Sequence, residues 1–218
     1  MSTYTTEIAS DKIVSDNPIH QRLLKAYYAA EPFILGDVLE PGCGEGRGLD
    51  LLAPKAKSYT AIDKIGDIID ELRGRYKGVD FKQMNFPPFA GLANNSYDVV
   101  ISFQVIEHIQ DDKKFLEEIY RVLKPGGKAV ITTPNIKMTL TRNPWHIREY
   151  TNDQLKELAS SIFSQATMKG IAGNEKVMNY YEENKKSVAK FTKFDIFNLQ
   201  YNLPASLLRI PYDILNRV

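Results

Sequence analysis

The residues able to do chemistry in this chain of 218 residues gather in two places. The first is Glu40-x-Gly42-x-Gly44-x-Gly46, which follows the apolar Val38-Leu39 and precedes Leu49-Asp50-Leu51-Leu52. A strand that breaks into alternating glycines and then into a helix brings bare backbone N–H groups against a ligand. Glycine takes positive φ without strain and carries no side chain to hold the ligand off. Asp63 ends the strand-like segment 58–63, about twenty residues beyond the first glycine, the spacing at which a carboxylate meets ribose hydroxyls. A dinucleotide fingerprint starting at Gly42 would need glycine or alanine at position 47, where Arg47 stands. The second place is 143–150, Asn-Pro-Trp-His-Ile-Arg-Glu-Tyr, which sets the only tryptophan beside His146, Arg148, Glu149 and Tyr150. Histidine suits proton transfer near neutral pH; packing by Trp145 and Tyr150 would make His146 structural instead.

The elements that must position these residues alternate strand and helix. Asn17-Pro18 opens a helix over about 17–30, with capping and first-turn proline as its signals. Strands follow at 58–63, 79–84 and 97–103, the last a near-continuous apolar run of the kind a buried parallel strand shows. Helices are expected from 66 to about 76 and from about 111 to 123, where Phe115, Leu116, Ile119, Val122 and Leu123 share a face. Lys124-Pro125-Gly126-Gly127 stops the second of these, and 128–133 reads as a fifth strand. Thr151 caps a further helix, 164–170 reads as a sixth strand, and 174–190 and 203–216 read as helices.

Taken in order, the glycine run, Gln104-Val105-Ile106-Glu107-His108-Ile109 and Leu123-Lys124-Pro125-Gly126-Gly127 resemble the class I S-adenosylmethionine (SAM)-dependent methyltransferases over roughly residues 36–135. Within that class the motifs are similar to those of the small-molecule and quinone-biosynthesis group. The resemblance implies an α/β fold with a doubly wound, mostly parallel sheet, SAM as cofactor, and methyl transfer to a small-molecule acceptor on oxygen or carbon. It places Glu40, Gly42, Gly44, Gly46 and Asp63 around the amino-acid end and ribose of SAM. Met84, Asn85 and Phe86 go beside the adenine, with Asn85 where many relatives have Asp, and Gln104 and His108 beside the methionine end. Arg22, about twenty residues before the first glycine, stands where an arginine of relatives meets the SAM carboxylate; a solvated surface arginine is the alternative. His146 lies where relatives place the acceptor and is the candidate general base or orienting group.

The family sheet has seven strands, and a seventh is not identifiable here; residues 194–199 are the stretch that could stand in for it. The chain reads as a single domain, with 1–35 as an N-terminal helical cap and 174–218 as a C-terminal helical extension. Tyr180, Tyr181, Phe191, Phe194, Phe197 and Tyr201 read as packing under that extension, with acceptor recognition or a homodimer surface as the alternative. A formal net charge of +1 with mixed signs gives no field for nucleic acid. Residues 1–16 lack the layout of a signal peptide, and no apolar run reaches the length of a membrane span. Cys43, the only cysteine, excludes an internal disulfide and a cysteine-rich metal site, so a reducing cytoplasm is expected. No metal is expected either, since the adjacent acids after the fourth strand, Asp111 and Asp112, open a helix and suit its dipole. Two other classes remain: a SAM-binding regulatory protein without turnover, and a nicotinamide-dependent oxidoreductase, which Arg47 disfavours.

Overall fold

A computed structural model of the chain describes residues 17–192 and 198–209. Its strands are β1 (Asp37–Pro41), β2 (Ser58–Asp63), β3 (Val79–Gln83), β4 (Tyr97–Phe103) and β5 (Leu123–Thr132). They form one sheet in the order β3-β2-β1-β4-β5, every neighbouring pair parallel. The helices are α1 (Asn17–Ala30), α2 (Leu49–Leu52), α3 (Gly66–Arg75), α4 (Asp112–Val122), α5 (Asn152–Ser160), α6 (Glu175–Thr192) and α7 (Leu199–Asn202).

Both faces of the sheet are covered, which is why its inner strands are apolar at successive positions. Val38, Ala61, Val99 and Ile101 pack with Ala26 and Tyr27 of α1, Leu49 and Leu52 of α2, and Ile68, Ile69 and Leu72 of α3. Leu39, Ile62 and Val100 face the other way, onto Phe115, Leu116, Ile119 and Val122 of α4. Those four α4 positions make one apolar stripe at helical spacing. Asp111 starts the helix by accepting the Lys114 N–H at 2.9 Å. Glu118, buried on the same helix, accepts the Phe89 N–H at 2.8 Å and pairs with Arg121 at 2.8 Å. Arg121 reaches on to the Leu92 carbonyl and Asn94 Oδ1, each at 2.8 Å. The long connection between β3 and β4, which carries Asn85 and Phe86, is thereby held on α4.

The chain lays β1, β2 and β3 side by side in one direction, then places β4 on the opposite flank of β1. Connections therefore leave the carboxyl ends of β1 and β4 in opposite directions, and a crevice opens between them, the usual ligand position in an open α/β sheet.

Two expectations from the sequence are corrected. The fifth strand begins at Leu123, directly after α4, because Leu123 already pairs with Tyr97; the proline and glycines form a register shift inside the strand. Residues 164–170 form neither strand nor helix: they are exposed or half-exposed, and no described strand lies beside β5 for them to extend. Directly after Pro204 residues 205–209 are helical, as expected of the last helix, whose residues 210–216 lie outside the described residues, as do 194–197 of the candidate seventh strand. Among the described residues no helix is long and apolar enough to cross a membrane.

One acid sits inside this core. Glu40 of β1 is 1% exposed, and its two oxygens accept the hydroxyls of Tyr27 and Tyr59, each at 2.7 Å. Burial pushes its pKa up from an ordinary 4.5 to about 7, against the pull of the two hydroxyl donors. The folded state thus holds a proton that the unfolded chain releases, and the stability this contributes is complete below pH 4.5 and lost as pH rises through about 7. Urea denaturation at steps across that window should show Glu40→Gln less pH-dependent than the parent, the gap between them shifting by roughly 1–3 kcal/mol. Parallel pH profiles would show that Glu40 does not titrate there.

Candidate functional site

A cavity of about 250 Å³ lies at the crevice between the carboxyl ends of β1 and β4. Its floor is the glycine turn. The N–H of Gly42 bonds to the Ile62 carbonyl at 2.8 Å, and its φ of +77° turns the chain there. A Cβ at Gly42 would lie 2.3 Å from Cγ2 of Val105, so the close passage of β1's end under the β4 loop needs glycine twice over. Asp63 closes one side. Its Oδ2 accepts the Gly44 N–H and its Oδ1 the Ile65 N–H, both at 3.0 Å. Burial raises the Asp63 pKa and the two backbone donors counter it. Each of its oxygens keeps a further lone pair for a ligand hydroxyl.

Of the residues expected at the site, Gly42, Gly44, Asp63, Asn85, Phe86, Gln104 and His108 line the cavity together. Gln104 does so from a left-handed conformation, φ +58°, at the end of β4, with its N–H on the Thr132 carbonyl at 2.8 Å. Such strain in a side-chain-bearing residue is commonest at ligand sites. Phe86 is braced by Phe115, ring centroids 5.8 Å apart. Glu40, Gly46, Met84, Arg22 and His146 do not line it. Glu40 is turned into the core, Gly46 packs toward Leu49 and Leu72, and Met84 packs on the α4 side.

Sequence reasoning missed Lys64, Ile65, Phe103 and Val105, which flank Asp63 and Gln104 at the strand ends. Their signal was position alone: whatever follows a central parallel strand meets the crevice. Leu23 and Tyr27 of α1 and Ile109 also line the cavity, and α1 arrives from outside the motif with no local signature.

A second cluster adjoins the first through His108. The loop 143–150 docks on the turn Ile106–His108: the Ile147 N–H bonds to the Glu107 carbonyl at 2.8 Å, and His108 Nδ1 meets the Trp145 carbonyl at 2.9 Å. The His108 and His146 rings stand edge to face, centroids 4.9 Å apart. His146 Nδ1 faces Glu149 Oε1 at 2.6 Å, and its Nε2 faces the Asn143 amide nitrogen at 3.0 Å. Asn143 Oδ1 accepts the Trp145 N–H at 3.0 Å, which fixes the amide's orientation and hence a His146 protonated on Nδ1. Burial raises the Glu149 pKa, but the hydrogen bonds from His146 and Thr139 and the charges of His146 and Arg22 outweigh it, leaving it below its ordinary value. The charge of Arg22 thus favours the ionised Glu149. His20 instead meets Arg47 of the glycine turn. Asp112 accepts the Tyr150 hydroxyl at 2.7 Å and pairs with Arg148, holding the loop's far end.

The sheet order, the glycine turn and the acid one strand over are those of the class I methyltransferase fold. Residues 39–131 match the family described as methyltransferase domain. It is 41% identical over 128 residues to a Mycolicibacterium smegmatis protein named probable S-adenosylmethionine-dependent methyltransferase, covering 56% of this chain and 49% of that one. Over 101 residues it is 33% identical to the ubiquinone biosynthesis O-methyltransferase of Rickettsia canadensis, covering 45% and 43%. The chain spans about half the length of these relatives. Among solved structures, a Pyrococcus horikoshii protein superposes with a TM-score of 0.61 at 19% identity over 80% of this chain and 92% of that one. The YcgJ protein of Bacillus subtilis does so with 0.56 at 18% over 78% and 82%. Both show the shared fold.

Substituting the turn tests its geometry directly. Gly42→Ala, strained in φ and driven against Val105, should lower stability by roughly 1–3 kcal/mol in chemical denaturation. An unchanged midpoint would mean the turn is looser than described.

Proposed function

We propose that this chain is an enzyme that transfers the methyl group of SAM to a small-molecule acceptor, at a hydroxyl oxygen or an activated carbon. The observation that carries the reading is the Asp63 carboxylate, fixed beside the cavity by the Gly44 and Ile65 amides. A nucleoside sugar finds there two acceptor oxygens already oriented, next to a backbone with no side chain in the way. The residues present fit SAM: Gly42 and Gly44 offer close backbone approach, Asp63 the ribose contact, Asn85 a side-chain amide and Phe86 an apolar face for the base, and Gln104 and His108 a polar end.

SAM supplies an electrophilic methyl on a positive sulfonium. The protein's share is to align two reactants, and positioning alone lowers barriers by about 7–11 kcal/mol at the favourable extreme. On this reading the 143–150 loop is the acceptor side: His146, oriented by Glu149, holds the acceptor or assists removal of its proton, and Arg22 reinforces the charge on Glu149. The O-methyltransferase name of the Rickettsia relative supports a hydroxyl acceptor.

Calorimetric titration with SAM tests the binding half: Asp63→Ala should weaken affinity by roughly 1–3 kcal/mol. Undiminished binding by that variant would remove the ribose contact. Turnover on a panel of phenolic and quinol acceptors tests the transfer half. His146→Ala should lower kcat by about 10²-fold or more while SAM affinity stays within a factor of two or so. Full activity would return His146 to a packing role, and labelled SAM that yields no labelled small product would favour a regulator.

A further inference from the structure

Glu107 is a buried acid of the second cluster whose chemistry the methyl-transfer reading does not use. It is wholly buried, and while Oε2 accepts the Thr133 hydroxyl at 2.9 Å, Oε1 has no hydrogen-bond partner. A buried carboxylate oxygen without a donor is costly, and native structures rarely retain one without a role. A ligand atom of Glu107, one of His108 and one of His146 all lie within 4.8 Å of one another.

The surroundings of the two histidines are those of metal ligands. Each turns Nδ1 toward an acceptor, His108 to the Trp145 carbonyl and His146 to the Glu149 carboxylate. Such partners fix the tautomer that presents Nε2 with its lone pair, and they raise the basicity of the ring. We propose that Glu107, His108 and His146 bind a divalent first-row transition-metal ion between the SAM cavity and the 143–150 loop. Two imidazoles and one carboxylate suit zinc, cobalt, iron or manganese better than magnesium or calcium, which prefer all-oxygen sets. Donors around a zinc ion at about 2.0–2.2 Å stand about 3–3.5 Å apart, so the widest of the three separations must close by up to about 1.3–1.8 Å. His146 Nε2 must also exchange the Asn143 amide for the ion. This assignment replaces the sequence expectation of no metal, which weighed only Asp111 and Asp112; those acids cap α4 and hold Tyr150.

His108 also lines the cavity proposed for SAM, so an ion held by it would adjoin the methyl donor. The chemistry there rests on the methyl-transfer reading. An acceptor hydroxyl bound to the ion loses its proton to solvent more readily. Its oxygen lone pair then forms the new O–C bond, while the C–S pair stays on sulfur and leaves a neutral thioether. His146 serves the acceptor through the ion in this arrangement, and Glu149 is a positioning residue.

The test uses the tag-free chain stripped with a chelator and titrated with cobalt(II). One equivalent should bind, with visible ligand-field absorption that zinc(II) displaces. Glu107→Gln, which keeps the shape of the buried side chain, and His146→Ala should each lose this binding by more than about 100-fold, with circular dichroism unchanged. Glu149→Gln should weaken it by about 10–100-fold. A folded parent chain that takes up no stoichiometric cobalt, or takes it up equally well with Glu107→Gln and His146→Ala, would overturn the site. Titrating SAM into the same stripped samples keeps the two readings apart: SAM binding without cobalt binding removes the metal alone, and cobalt binding without SAM binding removes the methyl donor alone.

Discussion

The hydrogen bond from the Gly44 amide to Asp63 Oδ2 is the tie on which the site's geometry depends. It joins the turn leaving β1 to the end of β2, so that two neighbouring parallel strands stop in register and present one edge. Without such a tie the glycine run would be free to take many shapes, since the absence of side chains that admits a ligand also admits disorder. Asp63 is 7% exposed and answers the turn with a second bond to the Ile65 amide, which sets where α3 begins. One carboxylate therefore fixes the floor of the cavity, one of its walls and the start of a helix.

How far the sequence disclosed this differs from part to part for physical reasons. Strands such as 97–103 and helices such as 112–122 announce themselves because burial on both faces or one stripe imposes a period on the residues. The glycine turn and Asp63 were legible because their constraint is local, a backbone shape and a fixed spacing. Glu40 was not: the same motif position reads as a ligand contact, yet it is taken up by Tyr27 and Tyr59, which come from 13 and 19 residues away. Nothing in the run of glycines encodes which tyrosines will arrive. The segment 164–170 misled in the opposite sense, because a stretch of sequence shows only what could be a strand, and a neighbouring strand makes it one.

The juxtaposition of His108 and His146 belongs to the same category. Each sits in a short segment rich in polar groups, and their meeting depends on the Ile147 N–H reaching the Glu107 carbonyl across 40 residues of chain. Two loops from adjacent strand ends thereby build a polar wall that neither motif contains alone. This is how an open α/β sheet varies its chemistry while keeping its frame: the strand ends set the place, and the loops supply the groups.

Tyr27 gives the first helix an unusual bond to everything beneath it. Its ring meets Phe103 edge to face at 4.8 Å, lies where a Cβ at Gly48 would collide at 1.9 Å, and forms part of the cavity wall, while its hydroxyl ends on Glu40. An amino-terminal helix is ordinarily the segment evolution can lengthen, trade or delete at little cost. Here α1 is wedged against one wall of the cleft, so drift in that helix reshapes the cleft along with it, and a graft that borrows the glycine loop must carry its helical partner too.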